Sequence, residues 1–302
     1  MYRYKNLLVG LNLGDQDIAV IRYAAMVSRL AKSEKIFFIH AAENLEIPED
    51  VRTEYPDLLE RADELARKQM EEMVNRGFDG HHGTEKVYEV AEGAPLAMLL
   101  EWSRQNDIDL ILMGRKQDCG ENSKLAAKLV RKAPCSVFII PAGSAAKIGK
   151  ILVPVDFSEN SADAMETAIA FASASSARLA CLHVYQVPTG YHKTGKTYEE
   201  FAAIMKGHAE KDYRNLISTL NLRGRDVIPI FELENKPWKA IKAAAQKEQA
   251  DLLVMGSRGR SAAAAVLLGS VTERLIRTTE MPLLAVKKKG ANLSLLEAIL
   301  KL

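Results

Sequence analysis

Residues 251–256 read Asp251-Leu252-Leu253-Val254-Met255-Gly256 and residues 109–114 read Asp109-Leu110-Ile111-Leu112-Met113-Gly114. Each is an acid, four apolar residues and a glycine. An apolar run that short, without polar alternation, predicts a strand buried on both faces, as in a parallel sheet. The likeness extends outward in order. Leu7-Leu8-Val9-Gly10-Leu11-Asn12 matches Ile151-Leu152-Val153-Pro154-Val155-Asp156, and Ile36-Phe37-Phe38-Ile39-His40 matches Leu179-Ala180-Cys181-Leu182-His183. Further on, Leu129-Val130-Arg131 matches Leu275-Ile276-Arg277, and Val137-Phe138-Ile139-Ile140 matches Leu283-Leu284-Ala285-Val286. The separation stays between 142 and 146 residues. That is duplication of a whole domain, not a short solenoid repeat.

The small-residue run Ala142-Gly143-Ser144-Ala145-Ala146 predicts the linker. The expected domains are residues 1–143 and 148–289, followed by a tail, 290–302. In the tail, Ser294-Leu295-Leu296-Glu297-Ala298-Ile299-Leu300-Lys301-Leu302 has the pattern of a capped amphipathic helix too short to stand alone. Within the second half, strands are expected at Ile151–Val155, Leu179–Tyr185, Val227–Phe231, Leu252–Met255 and Leu283–Val286. Between them Ala162, Met165, Ile169 and Ala172 share a helical face behind an N-cap at Ser158. Tyr198–Leu220 is a longer helix, and Pro237 opens a third. The fold class is therefore α/β: two tandem open parallel-sheet domains, Rossmann-like and doubly wound. Trp102 and Trp238 are expected at equivalent places in the third helix of each domain. In such sheets ligands bind outside the carboxyl ends of the strands, where Asp156, Val184 and Gly256 gather.

Composition narrows the function classes. A chain of 302 residues with 48% hydrophobic and 26% charged residues has material for two cores, and a net charge of +2 favours neither nucleic acid nor an acidic substrate. Three cysteines, Cys119, Cys135 and Cys181, suit a reducing cytoplasm. No apolar run approaches the roughly 20 residues of a membrane span, and no signal peptide is evident at the N-terminus. The expected location is cytoplasmic, with no membrane and no nucleic-acid partner.

Residues 256–270 carry the chemistry: Gly256-Ser257-Arg258-Gly259, then nine residues, then Gly269-Ser270, which opens a helical segment at Val271-Thr272. Glycines at a strand exit allow positive φ and close approach of a ligand to main-chain N–H groups. A following helix N-terminus supplies free N–H groups and partial positive charge. The same spacing also fits a plain glycine turn. A bulky residue at Gly256 or Gly269 is expected to block a phosphate's approach. A second motif, Gly190-Tyr191-His192-Lys193-Thr194-Gly195-Lys196-Thr197, fits G-x4-G-K-[ST]. Val187-Pro188-Thr189 separates it from its strand, unlike a true P-loop. The reading preferred is a mobile loop whose Lys193 and Lys196 reach phosphates held elsewhere. His40 and His183 end equivalent strands, which suggests a backbone role. His81-His82 lacks partners at ligand spacing, so no metal site is expected, and no catalytic triad is evident.

The combination of Val-Pro-Val-Asp at 153–156, Leu-His-Val at 182–184 and Met-Gly-Ser-Arg-Gly-x9-Gly-Ser-Val-Thr at 255–272 resembles the universal stress protein family in its tandem form. The resemblance implies that Asp156, with Pro154 and Val155, meets adenine and ribose while Val184 offers backbone contacts to adenine. It implies that Met255 and Gly256 line the nucleoside. Ser257 and Arg258 lie in the loop, and Gly259, Gly269, Ser270, Val271 and Thr272 hold the phosphates. It also implies domains paired through their last strands as an internal pseudo-dimer.

The first half departs from this pattern. Asn12 replaces the aspartate, and the loop after Gly114 is about four residues shorter, with Ser123-Lys124 where Gly269-Ser270 should be. Asp118 and Glu121 add negative charge there. The first domain is expected to be a degenerate copy. The functional expectation is a stress-response regulator binding one ATP per chain in the second domain, with AMP or ADP as other candidates and Mg²⁺ beside the phosphates. Expected partners are a second copy of the chain or an unidentified protein. Two further classes stay open: a slow ATP hydrolase or phosphotransferase using Lys193 and Lys196, and a partner-binding scaffold whose nucleotide is structural.

Overall fold

The structure is a computed structural model that describes residues 4–42, 53–54, 58–115, 121–259 and 268–288. The chain divides into two compact units, one on the N-terminal side of Ala146 and the other Lys147–Lys288. Residues 116–120, which include Asp118 and Cys119, residues 260–267 and the tail lie outside the described residues.

The first unit runs β1 (Asn6–Leu11), α1 (Asp17–Ala31), β2 (Lys35–Ala42), α2 (Leu58–Gly77), β3 (Glu85–Glu92), α3 (Pro95–Gln105), β4 (Leu110–Arg115), α4 (Glu121–Lys132), β5 (Ser136–Pro141). Its strands are parallel in the order β3-β2-β1-β4-β5. The second runs β6 (Lys150–Pro154), α5 (Glu159–Ser175), β7 (Arg178–Tyr185), α6 (Tyr198–Thr219), β8 (Val227–Leu233), α7 (Pro237–Lys247), β9 (Leu252–Gly256), α8 (Ser270–Thr278), β10 (Leu283–Val286). Its parallel order, β10-β9-β6-β7-β8, repeats the first.

The central strands are apolar throughout because helices cover both their faces. Leu7, Leu8, Val9, Ile151, Leu152 and Val153 are all fully buried. Helix α5 starts at Ser158, whose Oγ accepts the N–H of Ser161, and buries Ala164, Met165, Ala168, Ile169 and Ala172 against the sheet. Pro154 sits where β6 has stopped pairing with β9, a ladder that engages only Ile151 and Leu152, so its missing N–H costs that ladder nothing.

The repeated acid that opens residues 109–114 and 251–256 has a structural task. Asp109 Oδ2 accepts the N–H groups of Lys5 and Asn6 at 2.8 and 2.9 Å. Asp251 Oδ2 accepts those of Gly149 and Lys150, both at 2.8 Å. Each carboxylate thus pins the entry to the neighbouring central strand with charge-assisted bonds. The backbone is duplicated even where residue type is not. Leu13 and Phe157 have φ of 60° and 62°, Lys32 and Ser176 have 52° and 58°, and Asp107 and Gln249 have 48° and 51°. A left-handed conformation is unfavourable for all six, so its recurrence shows that turn geometry is common to both halves.

The tryptophans are not equivalent. Trp238 is the second residue of α7, with the Arg274 guanidinium 5.0 Å from its ring, whereas Trp102 is the eighth of α3 and meets Phe37 edge-on at 5.7 Å. The shared prolines Pro95 and Pro237, each at its helix start, fix the true alignment of these helices.

Candidate functional site

In the second unit β6 has β7 on one side and β9 on the other, so the connections leaving β6 and β9 diverge and open a crevice at their carboxyl ends. A cleft of about 530 Å³ lies there. That is within the range of small-molecule sites. One wall, from β6, β7, α7 and the end of β9, is largely apolar: Val155, Leu182, Val184, Pro237, Ile241 and Met255. The other, from the β9 exit and the start of α8, is mostly main chain: Gly259, Gly269, Ser270, Val271 and Thr272. The β7 and β9 exits stand two strand spacings apart, roughly 10 Å.

The polar wall is built from hydrogen bonds that fix the loop without consuming its outward donors. The Gly269 N–H donates to Ser257 O at 3.0 Å, the Ser257 N–H to Val286 O at 3.2 Å, and Thr272 Oγ1 to Gly256 O at 3.0 Å. Glu273 N–H closes the first helical bond on Gly269 O at 2.8 Å. Gly269 is the N-cap and has no side chain to cap with, and among the described residues the N–H groups of Ser270, Val271 and Thr272 have no acceptor. Three aligned donors at a helix start form an anion cradle.

Asp156 follows the central strand by two residues and lines the cleft. Its Oδ1 accepts from Ser158 Oγ at 2.6 Å and Ser158 N–H at 3.1 Å. A Cβ on Gly259 would stand 2.7 Å from Oδ2, so a larger residue there would make the Asp156 carboxylate shift. His183 bonds through Nδ1 to Val155 O at 2.8 Å, as His40 bonds to Leu11 O at 3.0 Å in the first unit. The equivalent histidines thus share a backbone role, and His183 also lies against Phe157, ring centroids 4.4 Å apart.

The expected site residues come together with few exceptions. Pro154, Val155, Asp156, Val184, Met255, Gly256, Arg258, Gly259, Gly269, Ser270, Val271 and Thr272 all line the cleft. Ser257 is buried beside it and does not line it. Lys193 and Lys196 are exposed and also absent from the lining. Their segment is an ordered 3-10 turn, Tyr191–Thr194, between Gly190 and Gly195, both in the left-handed region with φ of 87° and 74°. Tyr191 packs edge-on to Tyr198, and Thr197 forms a capping box with Glu200. The G-x4-G-K-T match therefore spells a helix entry.

The glycines also act differently from the expectation. Gly256, Gly259 and Gly269 all lack positive φ; their use is close approach. A Cβ on Gly256 would meet the Asn160 backbone oxygen at 2.8 Å, so this glycine makes room for the first turn of α5 and not for a ligand. Residues that motif reading missed are Ser161, Leu182, His183, Gln186, Pro237 and Ile241. They come from α5, from α7 and from β7 with the residue after it, and only their place near strand or helix ends could have flagged them.

The universal stress protein family model matches residues 3–141 and again 147–287. The chain belongs to the universal stress protein family. The universal stress protein MJ0577 of Methanocaldococcus jannaschii is 29% identical over 156 residues, covering 47% of this chain and 96% of that protein. One from Thermus aquaticus, named for a sulfhydrylase 3′ region, is 32% identical over 137 residues, 45% of this chain and 97% of its own. Among solved structures, a universal stress protein from Archaeoglobus fulgidus shares the fold over 95% of this chain and 99% of its own, with a TM-score of 0.64 at 20% identity.

In this tandem universal stress protein the first unit carries the same cleft nearly closed. Its lining is Gly10, Leu11, Asn12, Ile39, Ala41, Pro95, Met98, Leu99, Met113, Gly114 and Leu125, most of them at positions that match the second, yet the space is about 40 Å³. That volume holds a water or so. Counting three residues from Pro95 and Pro237 sets Met98 opposite Ala240, and the larger Met98 side chain lines its cleft where Ala240 does not. Five residues beyond Asn12 and Asp156, Asp17 stands where the second unit has Ser161. Asp17 is buried, and its Oδ2 takes the N–H groups of Asn12 at 2.7 Å and Gly14 at 3.3 Å. Burial raises its carboxyl above the usual carboxylate range, against the lowering pull of those backbone donors. An acid at this helix start opposes an anion.

Among the described residues no three His, Cys, Asp or Glu side chains gather as a metal site, and no helix is long and apolar enough to cross a membrane.

Proposed function

We propose that this universal stress protein binds ATP in the second unit, one nucleotide per chain, and acts as a nucleotide-dependent regulator of a cytoplasmic stress response. The observation that carries the reading is the cleft's two-sided build. An apolar slot at Val155, Val184, Pro237 and Ile241 suits a base, while three open N–H groups at the start of α8 suit phosphates, with Asp156 between them facing the sugar. In this reading Asp156, anchored through Oδ1 by Ser158, meets a sugar hydroxyl with its carboxylate. Mg²⁺ would accompany the phosphates and take most of its ligands from them and from water.

The closed first cleft and its buried Asp17 support a single site. Binding without fast turnover is favoured over a hydrolase, since Lys193 and Lys196 lie outside the cleft lining. Mass spectrometry of the small molecule released on denaturing the purified protein tests the reading. ATP is expected; recovery of no nucleotide, together with no heat on Mg-ATP titration, would refute it.

A further inference from the structure

Helix α6 has 22 residues and rises about 33 Å, longer than the seven-residue β8 beside it at roughly 23 Å. Only Ala209 and Leu216 are buried along it. On the side turned away from them, Glu200, Ile204, Gly207 and Lys211 form one stripe at i, i+4, i+7 and i+11, all exposed. Ile204 is 38% exposed, one of few large apolar side chains in that state. Gly207 is equally unusual. Glycine is the poorest helix former after proline, and a Cβ built there meets nothing within 4 Å. Packing within the chain therefore gives no reason for a glycine at this position.

We infer that this stripe is a self-complementary docking surface for a second copy of the chain, two α6 helices crossing antiparallel. A two-fold axis midway between Ile204 and Gly207 sets Ile204 of each copy over Gly207 of the other, a side chain into a notch. The same axis sets Glu200 opposite Lys211 at both ends, so the charges match as the shapes do. Among the described residues Lys211 has no ion-pair partner, and Glu200 commits only Oε2 to the Thr197 N–H. The equivalent helix of the first unit also exposes an apolar side chain, Leu65 at 68%, but Lys68 and Gln69 follow where the notch would be. Self-complementarity thus belongs to α6. A face of three turns is smaller than a standard interface, so the dimer is weak and concentration-dependent.

Sedimentation of the full chain from about 10 µM to 1 mM tests this, because weak interfaces dissociate in that range. The wild type should pass from monomer to dimer. Gly207→Gln fills the notch and should weaken dimerisation at least about tenfold while keeping or raising the melting temperature, since glutamine favours helix. Lys211→Glu should weaken it too, and added salt should weaken the wild type. A wild type that stays monomeric throughout overturns the inference. A dimer that Gly207→Gln leaves intact also overturns it, because the contact then lies elsewhere. Mg-ATP titration of Gly207→Gln should match the wild type, which keeps this inference separate from the nucleotide reading.

Discussion

Replacing Gly269 with alanine separates the anion cradle from the fold. The N-cap φ of −61° and ψ of 135° suit any residue, so the change adds no backbone strain. The new Cβ would stand 3.4 Å from Thr272 Oγ1, 3.5 Å from the Gly259 nitrogen and 3.6 Å from Arg258 Cα, all ordinary contacts. Fewer unfolded conformations stabilise the variant by about 0.4–1 kcal/mol, and an alanine N-cap costs a similar amount. The melting temperature should stay close to that of the wild type. Binding should not. The methyl takes up space between the Gly259 N–H and the α8 cradle where a phosphate would approach, and losing one hydrogen bond to a charged group costs about 1.5–3 kcal/mol. That is roughly ten- to hundred-fold in Kd for Mg-ATP. Gly256→Ala is the contrast: its Cβ strikes the Asn160 main chain, and such overpacking costs about 1–3 kcal/mol of stability with or without nucleotide. Calorimetric titration paired with thermal melts reads both effects. Wild-type affinity in Gly269→Ala would refute main-chain phosphate binding at this helix start.

Titration of the whole chain with Mg-ATP should saturate at one nucleotide, and two equal sites would show that the small first cleft does not exclude it. Changing Lys193 and Lys196 together to alanine should alter ATP affinity less than about threefold, the scale of exposed, screened charges; a large loss for ATP with AMP spared would place both at the phosphates. Burial pushes the Cys181 thiol up to about 12, so it should resist alkylation at pH 8 in the folded protein and react on unfolding; equal rates in both states would contradict this. For Asp17 the folded carboxyl lies above its unfolded value, so the native state holds the extra proton between the two. Its contribution is full below the ordinary carboxylate range and is lost as pH rises through the folded value. The stability of the wild type relative to Asp17→Asn should therefore fall as pH is raised from acid to neutral in urea titrations, and a flat or rising difference would show that burial does not govern this group.

Much of this protein was legible in its residues because buried parallel strands leave unbroken apolar runs and duplication writes them twice. Asp109 and Asp251 mark the same strand entry, and the spacing from Met255 to Thr272 locates the cleft wall, since local turns and helix starts depend on neighbouring residues. Tertiary structure decided what each position faces. Gly256 and Gly269 look alike in sequence, yet one makes room for the Asn160 backbone and the other stands at an open helix start. The Gly190–Thr197 match looks like a phosphate loop but packs Tyr191 on Tyr198 and caps a helix. Ser161, Gln186, Pro237 and Ile241 join the cleft from distant parts of the unit, and Met98 reaches into the counterpart cleft where the matching Ala240 does not line its own. Sequence fixes backbone periodicity, which is local; which side chain fills a space depends on atoms brought together from distant parts of the chain.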